Sequence, residues 1–109
     1  MISLNTRTVA GPVSGEILRG RLPLPWALVP VKVTCQVFDR FGNKPWATMV
    51  ERVLVQGKLN LDALLPRLRD GVQVLVVGQG VPARVVAADQ DVRGSVTLAE
   101  TFQIYETKE

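Results

Sequence analysis

Apolar and polar residues alternate along much of this chain, and such alternation predicts β-strands with one face in a core and the other in water. The clearest segment covers residues 27–39. One of its faces carries Val29, Val31, Val33, Cys35 and Val37. The other carries Pro30, Lys32, Thr34, Gln36 and Phe38. We therefore predict a strand here, with the valine face and Cys35 in the core.

Runs of β-branched and aromatic residues that are bounded by glycine, proline or polar turns predict the remaining strands. Gly78-Gln79-Gly80 is interpreted as the end of one strand and the turn to the next. Residues 39–45 and 88–94 have the composition of hairpin loops. The remaining predicted strands cover residues 2–10, 16–22, 46–56, 72–77, 81–87 and 95–105.

One stretch changes to helical spacing and predicts a short helix over residues 59–68, with a buried leucine stripe. Asn60 can cap its first turn. Pro66 lacks the N–H that a helix interior needs, so the helix has one or two turns or begins late, with Pro66 near its first turn. The leucines at helical spacing are Leu61, Leu64, Leu65 and Leu68.

The order of these segments is several strands, one short helix and then more strands. It predicts a single all-β domain over residues 1–109, a five-stranded barrel of the oligonucleotide-binding (OB) type, with the helix between its third and fourth strands. Residues 106–109 are expected to fray. Another small barrel or a sandwich is the alternative that the pattern leaves open.

From about Lys32 to Tyr105 the chain resembles the bacterial single-stranded DNA-binding protein family. The resemblance is carried by Arg52-Val53-Leu54-Val55-Gln56-Gly57-Lys58-Leu59, by the leucine-bearing helix, and by Leu68-Arg69-Asp70-Gly71-Val72-Gln73-Val74-Leu75-Val76-Val77-Gly78. Arg84, a polar hairpin tip over residues 89–94 and the closing strand follow in the same order. The resemblance implies an OB fold that binds single-stranded DNA, or RNA, largely without sequence preference, in replication, recombination or repair. It also implies a homo-oligomer, either a dimer or a tetramer. The primosomal PriB proteins are a sister group of OB dimers, and these generally lack such a helix.

The chain departs from that family at the positions where its members stack bases on aromatic rings. Aligned on the glycines, these positions hold Val50, Gln56 and about Val85, none of which is aromatic. Stacking contributes roughly 1–3 kcal/mol per base, so other rings must replace these if the chain binds DNA tightly. Family members also carry an acidic C-terminal tail. Its absence after Lys108-Glu109 indicates either a trimmed sequence or a tailless relative.

The absence of histidine reduces the number of possible functions, because it excludes Ser-His-Asp and Cys-His catalysis and removes the commonest zinc ligand. A single cysteine, Cys35, excludes an intramolecular disulfide and a cysteine-rich metal site. We therefore expect no cofactor, no metal, no small-molecule substrate and no enzymatic activity; a histidine-free enzyme is the least favoured option. The sequence shows neither a signal peptide nor an apolar run of about 20 residues, so a soluble cytoplasmic protein is expected.

The net charge of +3 is compatible with a polyanionic partner without requiring one. Trp46 and Phe41 lie in or beside the first predicted hairpin loop, so we expect their rings to stack on bases; the alternative is that Trp46 packs on the barrel and Phe41 caps its end. The remaining candidates are cations for phosphates and one further ring: Arg40, Lys44, Lys32, Arg52, Arg84 and Phe38. The alternative function is a protein-interaction or assembly module, PriB-like or a divergent paralogue, with weak or no DNA binding.

Overall fold

The part of the chain that the structure describes folds into six β-strands and one short helical segment. The computed structural model describes residues 5–21, 24–57, 61–82 and 94–105. The strands are β1 (Thr6–Pro12), β2 (Leu18–Gly20), β3 (Trp26–Gln36), β4 (Trp46–Gln56), β5 (Gln73–Pro82) and β6 (Ser95–Tyr105). The helical segment is α1 (Leu61–Leu64), which continues into a 3₁₀ turn (Leu65–Arg67). The expectation of a frayed tail at residues 106–109 lies outside the described residues.

All strands belong to one sheet in the order β1-β5-β6-β4-β3-β2. Neighbouring strands are antiparallel, except that β4 and β6 are parallel. Five strands are long and β2 has only three residues. The helix follows the third long strand and precedes the fourth, as the sequence predicts.

The prediction of a five-stranded barrel was wrong in two respects: the described sheet has six strands, and its ladders leave it open. Between β1 and β3 there is one isolated bridge, Val13 to Val31, and beside it a hydrogen bond from the Ser14 N–H to the Pro30 carbonyl oxygen (3.0 Å). Pro12 and Pro30 lie where the two strands approach each other, and neither has an N–H to donate, so a ladder cannot extend through them.

The Gly78-Gln79-Gly80 segment is not the turn that its composition suggested. The chain continues through it as β5, with a register irregularity between Val77 and Gly78. Gly78 is buried, and a Cβ at this position would lie 1.9 Å from the Leu98 carbonyl oxygen. The glycine therefore permits close approach of the two backbones. The predicted strand over residues 81–87 begins inside β5, and residues 83–87 lie outside the described part.

One face of the sheet, here called the inner face, carries the main hydrophobic core. Leu61 of α1 and Leu68, directly after the 3₁₀ turn, belong to this core. One α-helical turn followed by a 3₁₀ turn agrees with the one or two turns predicted, and Pro66 lies at the start of the 3₁₀ turn, where its missing N–H is tolerated. The cap expected at Asn60 lies outside the described residues. The strand residues of the core are Val9, Val13, Ala27, Val29, Val31, Val53, Val55, Val74, Val76 and Ala99.

A second, smaller apolar cluster lies on the opposite, outer face. Leu28 of β3 faces Leu54 of β4, and both are buried together with Val96. Trp26 packs beside them, close enough to Gly20 of β2 that a Cβ there would lie 2.6 Å from its indole ring. This cluster covers the outer face where the first half of β3 pairs with the second half of β4. The outer face of the rest of the two strands, toward the loop that connects them, is left open.

The face of β3 that was predicted to be core is buried only over its first half. Val29 and Val31 have no exposed surface, whereas Cys35 is exposed and Val37 is 45% exposed. The core assignment of Cys35 was therefore wrong. The physical reason is that the pairing of β4 with β6 ends at Val53, so β3 and β4 extend beyond the described sheet as a two-stranded hairpin.

Within the described residues, no helix has the length and apolarity needed to cross a bilayer. In the same part of the chain, no group of three or more acidic or cysteine side chains is placed to hold a metal ion.

Candidate nucleic-acid interface

The projecting hairpin is here called the arm and comprises residues 32–52. Its two strands are in register, with Lys32 opposite Val50, Thr34 opposite Thr48, and Gln36 opposite Trp46. Side chains alternate between the faces of a strand, so these even-numbered residues share the outer face. All of them are exposed.

The outer face of the arm combines cations, hydroxyls and a ring. Arg52 lies opposite Pro30, one step along the ladder from the Lys32–Val50 pair, so the two cations are diagonal neighbours on one face. The strands that carry these two predicted phosphate ligands are therefore adjacent. The Thr34 and Thr48 hydroxyl oxygens are 3.2 Å apart and form a hydrogen bond between the strands.

The loop at the tip of the arm is ordered around Asp39. Its Oδ1 accepts hydrogen bonds from the N–H groups of Phe41 and Asn43, both at 2.9 Å. The Asp39 N–H donates to the Asn43 carbonyl oxygen (2.8 Å), and the turn places Gly42 at φ +82°, a conformation that favours glycine. These hydrogen bonds fix the backbone of the loop, and its side chains project from that backbone.

Three aromatic rings project from the tip and the adjacent strand. Phe38 is 74% exposed, Phe41 76% and Trp46 70%. The alternative that Trp46 packs on the barrel and Phe41 caps its end is therefore not what the described residues show. Several exposed rings on one hairpin make it a candidate binding surface.

Each phenylalanine at the tip has a cation beside it. The Arg40 guanidinium carbon lies 5.2 Å from the centre of the Phe41 ring, and the Lys44 ammonium nitrogen lies 5.4 Å from that of Phe38. Both distances are within the range of a cation–π interaction. A ring next to a cation matches the two parts of a nucleotide, a base that stacks and a phosphate that is negatively charged.

The charge of the arm is concentrated on its outer face and tip. Residues 32–52 contain four cations, Lys32, Arg40, Lys44 and Arg52, and two acidic residues. Of the acidic residues, Asp39 accepts bonds from its own loop, and Glu51 lies on the inner face, opposite Val31. The outer face of the arm therefore offers positive charge with no acidic side chain among its strand residues.

Seven of the eight candidate residues from the sequence lie on the arm, while Arg84 lies outside the described residues. Sequence reasoning missed the Thr34–Thr48 pair, because it could be recognised only from the cross-strand register. It also missed Arg7, which lies at the foot of the arm. The candidates that the arm brings together are Trp46, Phe41, Arg40, Lys44, Lys32, Phe38 and Arg52.

A cleft of about 550 Å³ opens at the foot of the arm and is here called the basal cleft. It lies between the start of β1, the start of β6 and the part of β4 that extends beyond its pairing with β6. Val50 and Arg52, which are on the outer face of the arm, also line the cleft, so the cleft borders the edge of β4 that extends beyond its pairing with β6. The other principal lining residues are Arg7, Val33, Met49, Glu51 and Ser95.

No protein-family model matches this chain, and no curated protein sequence matches it either. Solved structures do match. The small single-stranded DNA-binding protein from Streptomyces coelicolor superposes with a TM-score of 0.71 at 19% identity, covering 96% of each chain. The Plasmodium falciparum SSB in complex with ssDNA superposes with a TM-score of 0.72 at 19% identity, covering 97% of this chain and 98% of that chain.

The dimeric N-terminal domain of PriB from Thermoanaerobacter tencongensis is a third match, with a TM-score of 0.57 at 15% identity, covering 94% of this chain and 98% of that chain. These likenesses establish the fold, which is the OB fold of single-stranded DNA-binding and PriB proteins. The resemblance predicted from the sequence is confirmed at this level.

Proposed function

We propose that this protein binds single-stranded nucleic acid, DNA in the first instance, on the outer face and tip of the arm. The observation that carries the proposal is the clustering of three exposed rings, Phe38, Phe41 and Trp46, with four cations on one projecting hairpin. The structural neighbours support it, because two of them are single-stranded DNA-binding proteins and one of these holds ssDNA.

Binding combines stacking with neutralisation of phosphates. Each base that stacks on a ring contributes roughly 1–3 kcal/mol, and every base has a π-face, so this contribution is largely independent of sequence. Lys32, Arg40, Lys44 and Arg52 displace counterions from phosphates, which makes the affinity depend on salt. The Thr34 and Thr48 hydroxyls supply further hydrogen-bonding groups on the same face.

The stacking platform of this chain is displaced toward the tip of the arm. Val50, where the family resemblance implies a ring, lies on the outer face but carries none. Trp46 is four residues closer to the tip on the same face, and Phe38 and Phe41 lie in the loop beyond it. The bases therefore stack toward the distal end of the arm, while Lys32 and Arg52 contact phosphates nearer its foot.

We further propose that the protein acts as a homo-oligomer in DNA replication, recombination or repair, without enzymatic activity of its own, in the cytoplasm. The dimeric PriB domain among the structural neighbours supports the oligomer. Two or more arms on one strand would raise the overall affinity through effective concentration, without any new contact.

Tryptophan fluorescence during titration with a long oligo-dT tests the proposal. The chain has two tryptophans, so Trp26→Phe leaves Trp46 as the reporter on the arm and Trp46→Phe leaves only Trp26. We expect quenching at low salt that is reversed at moderate salt, retained in Trp26→Phe and largely lost in Trp46→Phe. No quenching and no gel shift at low salt would contradict DNA binding and favour a protein-interaction module.

A further inference from the structure

A second cationic site is built into the foot of the arm around Arg7. Arg7 lies on the inner face of β1, where Gly78 of β5 is its partner in register. Its guanidinium rests over Gly80, two residues farther along β5, where a Cβ would lie 2.4 Å from the guanidinium carbon. Gly80 is not in a left-handed conformation, so the backbone does not require glycine there. Glycine is needed at position 80 because the Arg7 guanidinium occupies the space that a Cβ would fill.

Two hydrogen bonds fix this arrangement. Nη1 of Arg7 donates to the Ser95 hydroxyl oxygen at 2.8 Å. The Asn5 amide nitrogen donates to the Gly80 carbonyl oxygen at 2.6 Å, and this bond anchors β5 beneath the Arg7 guanidinium. A guanidinium has five N–H donors, and one serine hydroxyl uses only part of that capacity. Within the described residues, no carboxylate forms an ion pair with Arg7.

The guanidinium faces a space large enough for a ligand group. Arg7 is half-buried and lines the basal cleft of about 550 Å³. Arg52 lines the same cleft from β4 and also belongs to the outer face of the arm. A nucleic-acid strand on the outer face of the arm would reach the cleft by passing around the edge of β4 at Arg52, which is unpaired beyond Val53.

We propose that Arg7 binds a backbone phosphate of the single strand in the basal cleft, and this rests on the function proposed above. A planar guanidinium that is already oriented by Ser95 presents a fork of donors matching phosphate oxygens. Gly80 and Ser95 act as positioning residues, because they hold the guanidinium and do not themselves carry the charge. Glu51 also lines the cleft, so the phosphate lies on the Arg7–Ser95 side of it, away from that carboxylate.

The test measures oligo-dT affinity at several salt concentrations for wild type, Arg7→Gln, Gly80→Ala and Arg69→Gln. Arg69 supplies the matched control, since it is an exposed arginine in the turn before β5, at the other end of β1, and its loss changes the net charge equally. Gly80→Ala keeps every charge, but its Cβ takes the place of the guanidinium, a flexible side-chain end that can move aside.

We expect Arg7→Gln to lower the affinity about tenfold at low salt, the scale of one lost charged hydrogen-bonding contact. It should also reduce the salt slope of log K by about 0.7, the value for one phosphate of a single strand. Gly80→Ala should lose a comparable factor, and Arg69→Gln about twofold or less, since its long-range effect is screened. Circular dichroism and the melting temperature of each variant confirm that it is folded.

Each outcome has one meaning. If wild type binds and Arg7→Gln behaves like Arg69→Gln, the phosphate site at Arg7 is wrong while the proposed function stands. If Arg7→Gln loses affinity but folded Gly80→Ala does not, the packing of the guanidinium over Gly80 does not position it for the phosphate. The positioning role assigned to Gly80 is then overturned. If wild type does not bind at low salt, the proposed function fails and the inference fails with it.

Discussion

The two halves of the β3–β4 pair follow the same alternating sequence pattern in opposite surroundings. In the first half, Val29 and Val53 face each other in the main core, and Leu28 and Leu54 face each other in the outer cluster. In the second half, the arm, both faces are largely exposed. Alternation therefore specifies which side chains share a face, whereas the surroundings determine whether that face is core or surface.

The difference in surroundings corresponds to a difference in the roles proposed for the two halves. The first half is paired on both sides, with β3 next to β2 and β4 next to β6, and it fixes the position of the hairpin. The arm has the exposed rings and cations, which would be costly to bury but are suited to a polyanionic strand. The half of the β3–β4 pair that is paired on both sides thus holds the arm and its exposed side chains away from the core.

The largest test of this comparison is a pair of truncations in β4. Leu54→Ala should lower the free energy of unfolding by about 3 kcal/mol, because it removes a fully buried side chain and leaves a cavity beside Leu28. Val50→Ala, on the same face four residues away and 51% exposed, should change it by less than about 0.5 kcal/mol.

Urea unfolding of both variants measures these changes in stability. Equal destabilisation by Leu54→Ala and Val50→Ala would contradict the division into a buried half and an exposed arm. It would mean that the outer face of the arm is packed in solution.

Individual strands and the short helix also show what the sequence can predict. The bounds of β4 and β6 were predicted correctly, because each is a run of strand-forming residues with loop residues before it. The existence of the short helix followed from its leucines. Cys35 was misassigned because its pattern continues that of the buried valines, and no local signal marks where the pairing of β4 with β6 ends.

The remaining errors have the same physical origin in long-range contacts. Position 78 requires glycine because the Leu98 carbonyl oxygen, in a strand twenty residues later, leaves no room for a Cβ. The sequence does not show that contact, so Gly78-Gln79-Gly80 resembled a turn. In the candidate site, the rings and cations of the hairpin loop were predictable from their types and clustering. The Thr34–Thr48 pair and the position of Arg7 over Gly80 depend on strand register, which the sequence does not specify.

A second test concerns binding rather than stability. Trp46→Ala should weaken oligo-dT binding several-fold, because one stacking platform contributes roughly 1–3 kcal/mol. The melting temperature should change little, since the ring is 70% exposed. Fluorescence anisotropy with a labelled oligonucleotide measures the affinity without relying on the tryptophan signal.

Trp46→Phe is the matched control, because it keeps an aromatic face and should retain most of the affinity. Unchanged affinity in Trp46→Ala would remove this residue from the site and leave only the two phenylalanines of the tip as platforms. A loss of stability comparable to that of Leu54→Ala would show instead that the ring packs against the protein in solution.

The smallest expected effect comes from a charge between the two regions. Glu51 lies on the inner face at the junction of the arm with the core, and it lines the basal cleft together with Arg7 and Arg52. A carboxylate there repels a phosphate, so Glu51→Gln should tighten oligo-dT binding about twofold at low salt, with the gain disappearing as salt screens the charge. Glu16→Gln is the control, because Glu16 is exposed and lies outside the cleft. An equal gain in both variants would reflect net charge alone, whereas a gain confined to Glu51→Gln would indicate that the strand passes through the cleft at the foot of the arm.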